Sequence, residues 1–202
     1  MRRFVVLVGG LVLVVAMIVG CGSGAAVPTG LPGLGAATPE APCPPLTRDP
    51  VLEAVFPVEI DGQPVANFES GKFLESVCVE GGQAGVDAVS SAAPRTVDLA
   101  QVFIASAEAN VEATPLRIGA FRVQNATEDE LRDMLAGLAQ SVGGDAAKFA
   151  EELPDVQAGG KTVQTWTNAE GESSYLYWIG DIVVVADAVT ASQADRIFAA
   201  FP

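Results

Sequence analysis

The apolar positions of the chain fall into three regimes. From Phe4 to Val19 the residues are apolar, interrupted only by Gly9-Gly10. From Gly22 to Pro45 neither a period of 2 nor one of 3.6 is present. Gly, Ala and Pro dominate there, and Glu40 is the one charge. Beyond Arg48 the periods of regular structure begin. Asp49-Pro50 combines a helix N-cap with proline at the first helical position, and Leu52, Val55 and Phe56 give a short apolar stripe that Pro57 ends. Asp61-Gly62 between Val58–Ile60 and Val65–Phe68 is a hairpin signal with uncertain register. Phe73 to Val79 reads as a further short strand. Ala84 to Ala92 reads as a helix with Val86, Val89 and Ala92 inward, ended by Pro94.

The second half is patterned more strongly. Leu99 to Ala107 and Leu116 to Val123 are predicted strands joined by the polar stretch Glu108 to Pro115. Thr127 and Glu130 form a capping box, in which hydroxyl and carboxylate each take up a free amide. The helix it opens carries Leu131, Met134, Leu135, Leu138 and Val142 at helical spacing and breaks at Gly143-Gly144. Ala146, Phe149, Ala150 and Leu153 suggest another turn or two. A meander follows: strands Thr162–Thr167, Ser173–Ile179 and Ile182–Ala186, joined at Asn168–Gly171 and at the tight turn Gly180-Asp181. The last strand is nearly unbroken in its apolar run, which predicts a central place in the sheet. Thr190 and Gln193 make a second capping box before Ala194, Ile197, Phe198 and Phe201.

These elements predict an α+β fold: one domain over residues 48–202, with an antiparallel sheet and helices on one face. Each capping box follows an apolar strand. Aligning Thr127 with Thr190 places Leu131 on Ala194, Met134 on Ile197 and Leu135 on Phe198. This echo suggests two related strand-strand-helix halves. The alternative is that short strand-turn-helix corners recur freely.

Composition narrows the function. Half of the 202 residues are apolar and 18% are charged, too apolar for a disordered chain. Eleven Lys and Arg stand against 25 Asp and Glu, a net charge of -14. Such a surface repels phosphate, so nucleic acid is not an expected partner. There is no histidine, the commonest general base and metal ligand. The sequence contains no Gly-x-Ser-x-Gly elbow or Ser-x-x-Lys, and histidine dyads are impossible. Carboxylate-only hydrolysis stays open. However, the densest acidic cluster, Glu128-Asp129-Glu130, is explained by the helix dipole. Gly160-Lys161-Thr162 shares letters with a P-loop end but precedes a strand. Asn125-Ala126-Thr127 matches a glycosylation acceptor and contains the helix cap. Asn168, Glu170 and Glu172 are too few for a calcium loop. No metal site or cofactor is expected.

Ile18-Val19-Gly20-Cys21, after an apolar run that begins behind Arg2-Arg3, resembles the lipobox of bacterial lipoprotein precursors. The resemblance covers the first 21 residues. It implies a signal peptide over 1–20, cleavage before Cys21, lipid attached to that residue, and a place on the extracytoplasmic face of the cell membrane. Residues 21–47 are then the lipidated cysteine and a flexible linker reaching ~25–30 Å. In an oxidising exterior Cys43 and Cys78 are expected to pair as a disulfide, with two separate buried thiols as the alternative.

Trp166, Tyr175, Tyr177 and Trp178 hold both tryptophans and both tyrosines of the chain. On strands, Tyr175 and Tyr177 share one face while Leu176 and Trp178 share the other. If helices cover one face, the other carries an aromatic surface for a protein or glycan partner. Ordinary cross-strand packing is the competing explanation. The function read from the sequence is a non-enzymatic binding module held at the membrane through its lipid. A carrier of lipid or another apolar molecule is the alternative, and a histidine-free carboxylate hydrolase the third.

Overall fold

The computed structural model describes residues 42–93, 98–142, 153–167 and 172–202. Helix α1 (Pro50–Val55) starts at Asp49, whose carboxylate accepts from the N–H groups of Val51 and Leu52. Strands β1 (Glu59–Ile60) and β2 (Gln63–Pro64) make a small hairpin over Asp61-Gly62, both at positive φ. Then come β3 (Ala66–Lys72), α2 (Phe73–Ala92), a 3-10 turn (Leu99–Gln101), β4 (Val102–Val111), β5 (Thr114–Val123) and α3 (Glu128–Val142). The chain closes with β6 (Asp155–Ala158), β7 (Lys161–Thr167), β8 (Ser173–Ile179), β9 (Ile182–Ala186) and α4 (Ala191–Ala200).

Seven strands form one antiparallel sheet in the order β3-β4-β5-β9-β8-β7-β6. The α+β architecture read from the sequence is therefore present, and the apolar strand Ile182–Ala186 takes the middle place. All five of its residues are buried, so both faces of the sheet must be covered.

That requirement corrects the expectation of helices on one face. On the first face Phe103, Ala105, Ile118, Ala120, Val184 and Ala186 pack with Leu52 and Val55 of α1 and Ala194, Ile197 and Phe198 of α4. On the second, Val102, Phe121, Leu176, Val183 and Val185 pack with Phe73, Val77 and Val89 of α2 and Leu131, Met134 and Leu135 of α3. Leu131, Ile197 and Phe198 are wholly buried, each worth about 1.5–3 kcal/mol against exposure.

The suggested halves exist as β4–β5–α3 and β8–β9–α4, but they do not form a symmetric pair. Strands β5 and β9 lie antiparallel side by side, Ile118 opposite Ala186. A two-fold axis relating them runs normal to the sheet and would leave both helices on the same face. They lie on opposite faces.

Both capping boxes form. Thr127 N–H donates to Glu130 Oε2 at 2.7 Å, and Glu130 N–H donates to Thr127 Oγ1 at 3.2 Å. Thr190 and Gln193 repeat the exchange at α4. Phe73–Val79 is helical rather than extended, as the first part of α2. The helix kinks at Gly82 (φ 62°) and turns so sharply that a Cβ on Gly85 would touch Val77. The polar stretch Glu108–Pro115 extends β4 and β5 around Glu112-Ala113, two non-glycine residues at positive φ. Its even-numbered residues point outward while Ala109 and Val111 point into the core. The predicted turn at Asn168–Gly171 and the helical turns at 146–152 lie outside the described residues.

Candidate functional site

The N-terminal described segment is laced to the domain. Cys43 and Cys78 form the expected disulfide, closing 35 residues of chain. Thr47 Oγ1 donates to Glu75 Oε1 at 2.8 Å, and Leu46 sits on Gly71, whose added Cβ would meet it at 3.2 Å. Residues 43–47 thus run along α2 and the β3 edge. Cys21 lies outside the described residues.

The four aromatic residues do not share a surface. Tyr175 is buried, its ring 6.5 Å from Phe198. Tyr177 is half-buried on the same face, 6.0 Å from Phe198, with its hydroxyl donating to the Pro202 carbonyl at 2.8 Å. Both tyrosines belong to the core under α4. Trp178 is on the opposite face, beneath α3. Trp166 lies on β7 opposite Ser174. The packing explanation therefore holds for the tyrosines. An exposed aromatic meander would require helices on one face only, and helices pack on both.

Trp178 nevertheless belongs to a built arrangement. Helix α3 carries Glu128 and Arg132 one turn apart, bridged at 2.6 Å. The Arg132 guanidinium stacks 4.0 Å from the Trp178 ring centre, a cation–π contact worth about 0.5–2 kcal/mol. Arg132 Nη1 and Trp178 Nε1 both donate to Gln164 Oε1, at 2.6 and 3.0 Å. Two donors on one atom fix it as the amide oxygen, which leaves the amide nitrogen of Gln164 for other acceptors. Gln164 stands opposite Asp155 on β6. Beside them opens a cleft of about 320 Å³ lined by Leu153, Pro154, Asp155 and Gln164. Among the described residues it offers the apolar Leu153 and Pro154, the Asp155 carboxylate and the Gln164 amide.

Other charged groups are committed to holding the fold. Arg122 Nη1 donates to both carboxylate oxygens of Asp49, at 2.9 and 2.8 Å, and its Nε donates to Asp181 at 2.8 Å. Burial alone would push the Asp49 carboxyl up. The Leu52 N–H, Arg122 and the Val51 N–H together outweigh it and hold the group below its ordinary range. Arg196 joins α4 to Asp61 and Glu112, tying the two small turns together. Asp187 is buried at the end of β9, with Ser174 Oγ donating to it. Burial pushes its carboxyl above the usual range, and the nearby Glu172 adds to the effect. Among the described residues no group of three or more Cys, Asp or Glu side chains is placed to hold a metal ion.

Cysteine pairing was legible in the sequence, whereas Arg132, Gln164 and Asp155 were not singled out. The available signals were the Glu128–Arg132 spacing and an indole N–H on an inward strand position that needed an acceptor. No family model, no curated protein and no solved structure matches this chain.

Proposed function

We propose that this protein is a lipid-anchored lipoprotein of the extracytoplasmic membrane face, whose domain is a non-enzymatic binding module. The observation that carries the reading is the Cys43–Cys78 disulfide. It is the bond expected in an oxidising compartment, and it fastens the segment that follows the lipobox to the domain. The bonded titratable groups support the second half of the reading. Asp49, Arg122, Asp181, Asp61, Arg196 and Glu130 are each occupied in capping or bridging.

Expression in a bacterium fed a radiolabelled fatty acid tests the anchor. The wild-type chain should take up label, lose residues 1–20 and partition into detergent. Cys21→Ser should remain unlabelled. An unlabelled wild-type protein that keeps its first 20 residues would remove the reading.

A further inference from the structure

The structure assigns a peptide-docking site to the outer edge of β6: we infer that this edge and the adjoining cleft bind an extended, basic peptide segment by adding it as an eighth strand. The inference rests on the reading of the domain as a binding module, and it is independent of the lipid anchor.

The backbone geometry comes first. Gly159-Gly160 is a two-residue turn with both residues at positive φ, so Ala158 and Lys161 exchange ladder bonds. So do Val156 with Val163, and the series continues where Thr165 N–H donates to the Pro154 carbonyl at 3.1 Å. Asp155 and Gln157, between those positions, turn their N–H and C=O groups away from β7. Strand β6 ends the sheet, and among the described residues no backbone group pairs with that outer side. An unpaired edge of this kind is a template for a further strand.

The strand is firmly held, which a docking edge requires. Gly159 packs so closely on α4 that an added Cβ would lie 2.1 Å from Ala199 N, and its N–H donates to Asp195 at 2.7 Å. The side chains of Asp155 and Gln157 are exposed on the α3 side of the sheet.

The cleft supplies the chemistry of selection. It begins where β6 begins, so the side chain of a docked strand would enter it. About 320 Å³ lies at the small end of ligand pockets, ~300–1,000 Å³, enough for one long side chain. Leu153 and Pro154 suit the aliphatic stem of Lys or Arg, and the Asp155 carboxylate suits its head. Asp155 has no salt bridge among the described residues. Arg132, which bonds the neighbouring Gln164, is already matched by Glu128. Every described arginine has a carboxylate within 4.0 Å, so the chain's charge of -14 leaves a surplus that attracts a basic partner.

The test is calorimetric titration of the detergent-solubilised full chain with an acetylated, amidated Thr-Val-Arg-Val-Arg-Val-Thr peptide. Saturable one-to-one binding is expected. Asp155→Asn should weaken it about tenfold, a loss typical of one charged contact. Gln157→Pro should abolish it, since it removes an outward N–H and no ladder bond. Should that variant fail to fold, the wild-type chain titrated with a peptide N-methylated at alternate residues gives the same test, with no binding expected. The site is overturned by absence of saturable binding at millimolar peptide, by equal affinity for the N-methylated peptide, or by equal affinity for a version with Glu in place of Arg. A concentration-dependent dimer in sedimentation that Gln157→Pro removes would also overturn it, because the edge would then serve a second copy. Peptide binding untouched by either substitution would remove this edge and keep the binding-module reading.

Discussion

Replacing Arg122 by Met should destabilise the domain by about 2–3 kcal/mol. The side chain lies on β5 but holds together three parts of the chain: the cap of α1, the β5–β9 pairing and the β8–β9 turn. Removing one partner of a buried ion pair costs about 3–5 kcal/mol, because the other charge stays buried. Asp49 is only 2% exposed, which argues for the full cost. It keeps two backbone donors, Val51 and Leu52, and Arg122 is 15% exposed, which argues for less. In a domain of this size the loss corresponds to a melting point lower by about 5–10 °C. The double variant Arg122→Met with Asp49→Asn separates charge from packing. Asn caps a helix about as well as Asp and leaves no buried charge. The pair should cost only about 1 kcal/mol, roughly 1–2 kcal/mol less than the single variant. Urea unfolding of all three proteins at neutral pH gives the numbers. Acid gives an independent check. The folded Asp49 carboxyl is held below its unfolded range, so its contribution is present above the unfolded pKa and is lost as pH falls through the folded one. The gap between wild type and Arg122→Met should therefore narrow on acidification. A single variant within about 0.5 kcal/mol of wild type, the usual spread of surface substitutions, would refute the reasoning. So would a double variant no better than the single.

Two further outcomes are expected. Cys43→Ser with Cys78→Ser should cost about 3–4 kcal/mol by the chain-entropy relation for a loop of this length, read as a lower urea midpoint with a somewhat steeper slope, since the unlinked denatured chain exposes more surface. Asp187→Asn should stabilise the domain at neutral pH and change little at pH 3. The buried carboxyl holds its proton in the folded chain at pH values where the unfolded chain has lost it. Wild-type stability therefore falls as pH rises through that window, and the variant, which keeps an acceptor for Ser174, should lack this slope.

What the sequence revealed depended on how local the determining physics was. Capping boxes are settled within four residues, and both were legible. The centrality of Ile182–Ala186 was legible because five consecutive apolar residues exclude a wet face on either side. The same fact implies a second layer of helices, yet it does not say which helix crosses to which face. Phe73–Val79 misled because a mostly apolar seven-residue segment interrupted by Glu75 and Ser76 fits strand and helix alike, and Gly81-Gly82 hid its continuation into α2. Strand β6 alternates polar and apolar residues, but four residues between Pro154 and Gly159-Gly160 read as easily as a loop. The Arg132–Gln164–Trp178 contact joins side chains from three elements, and no spacing rule reaches that far. Both tyrosines were placed on the correct strand, but their partner, Phe198, became visible only once α4 was seen to cover them.

The placing of β9 between β5 and β8 also sets an order of events. Its five residues are the last strand in the described chain, and they join the meander β6–β7–β8 to the meander β3–β4–β5. Until they emerge, β5 presents an open edge, and Phe121, Ile118 and Ala120 lack their neighbours. A chain that leaves the ribosome or a membrane channel N-terminus first therefore cannot close its sheet prematurely.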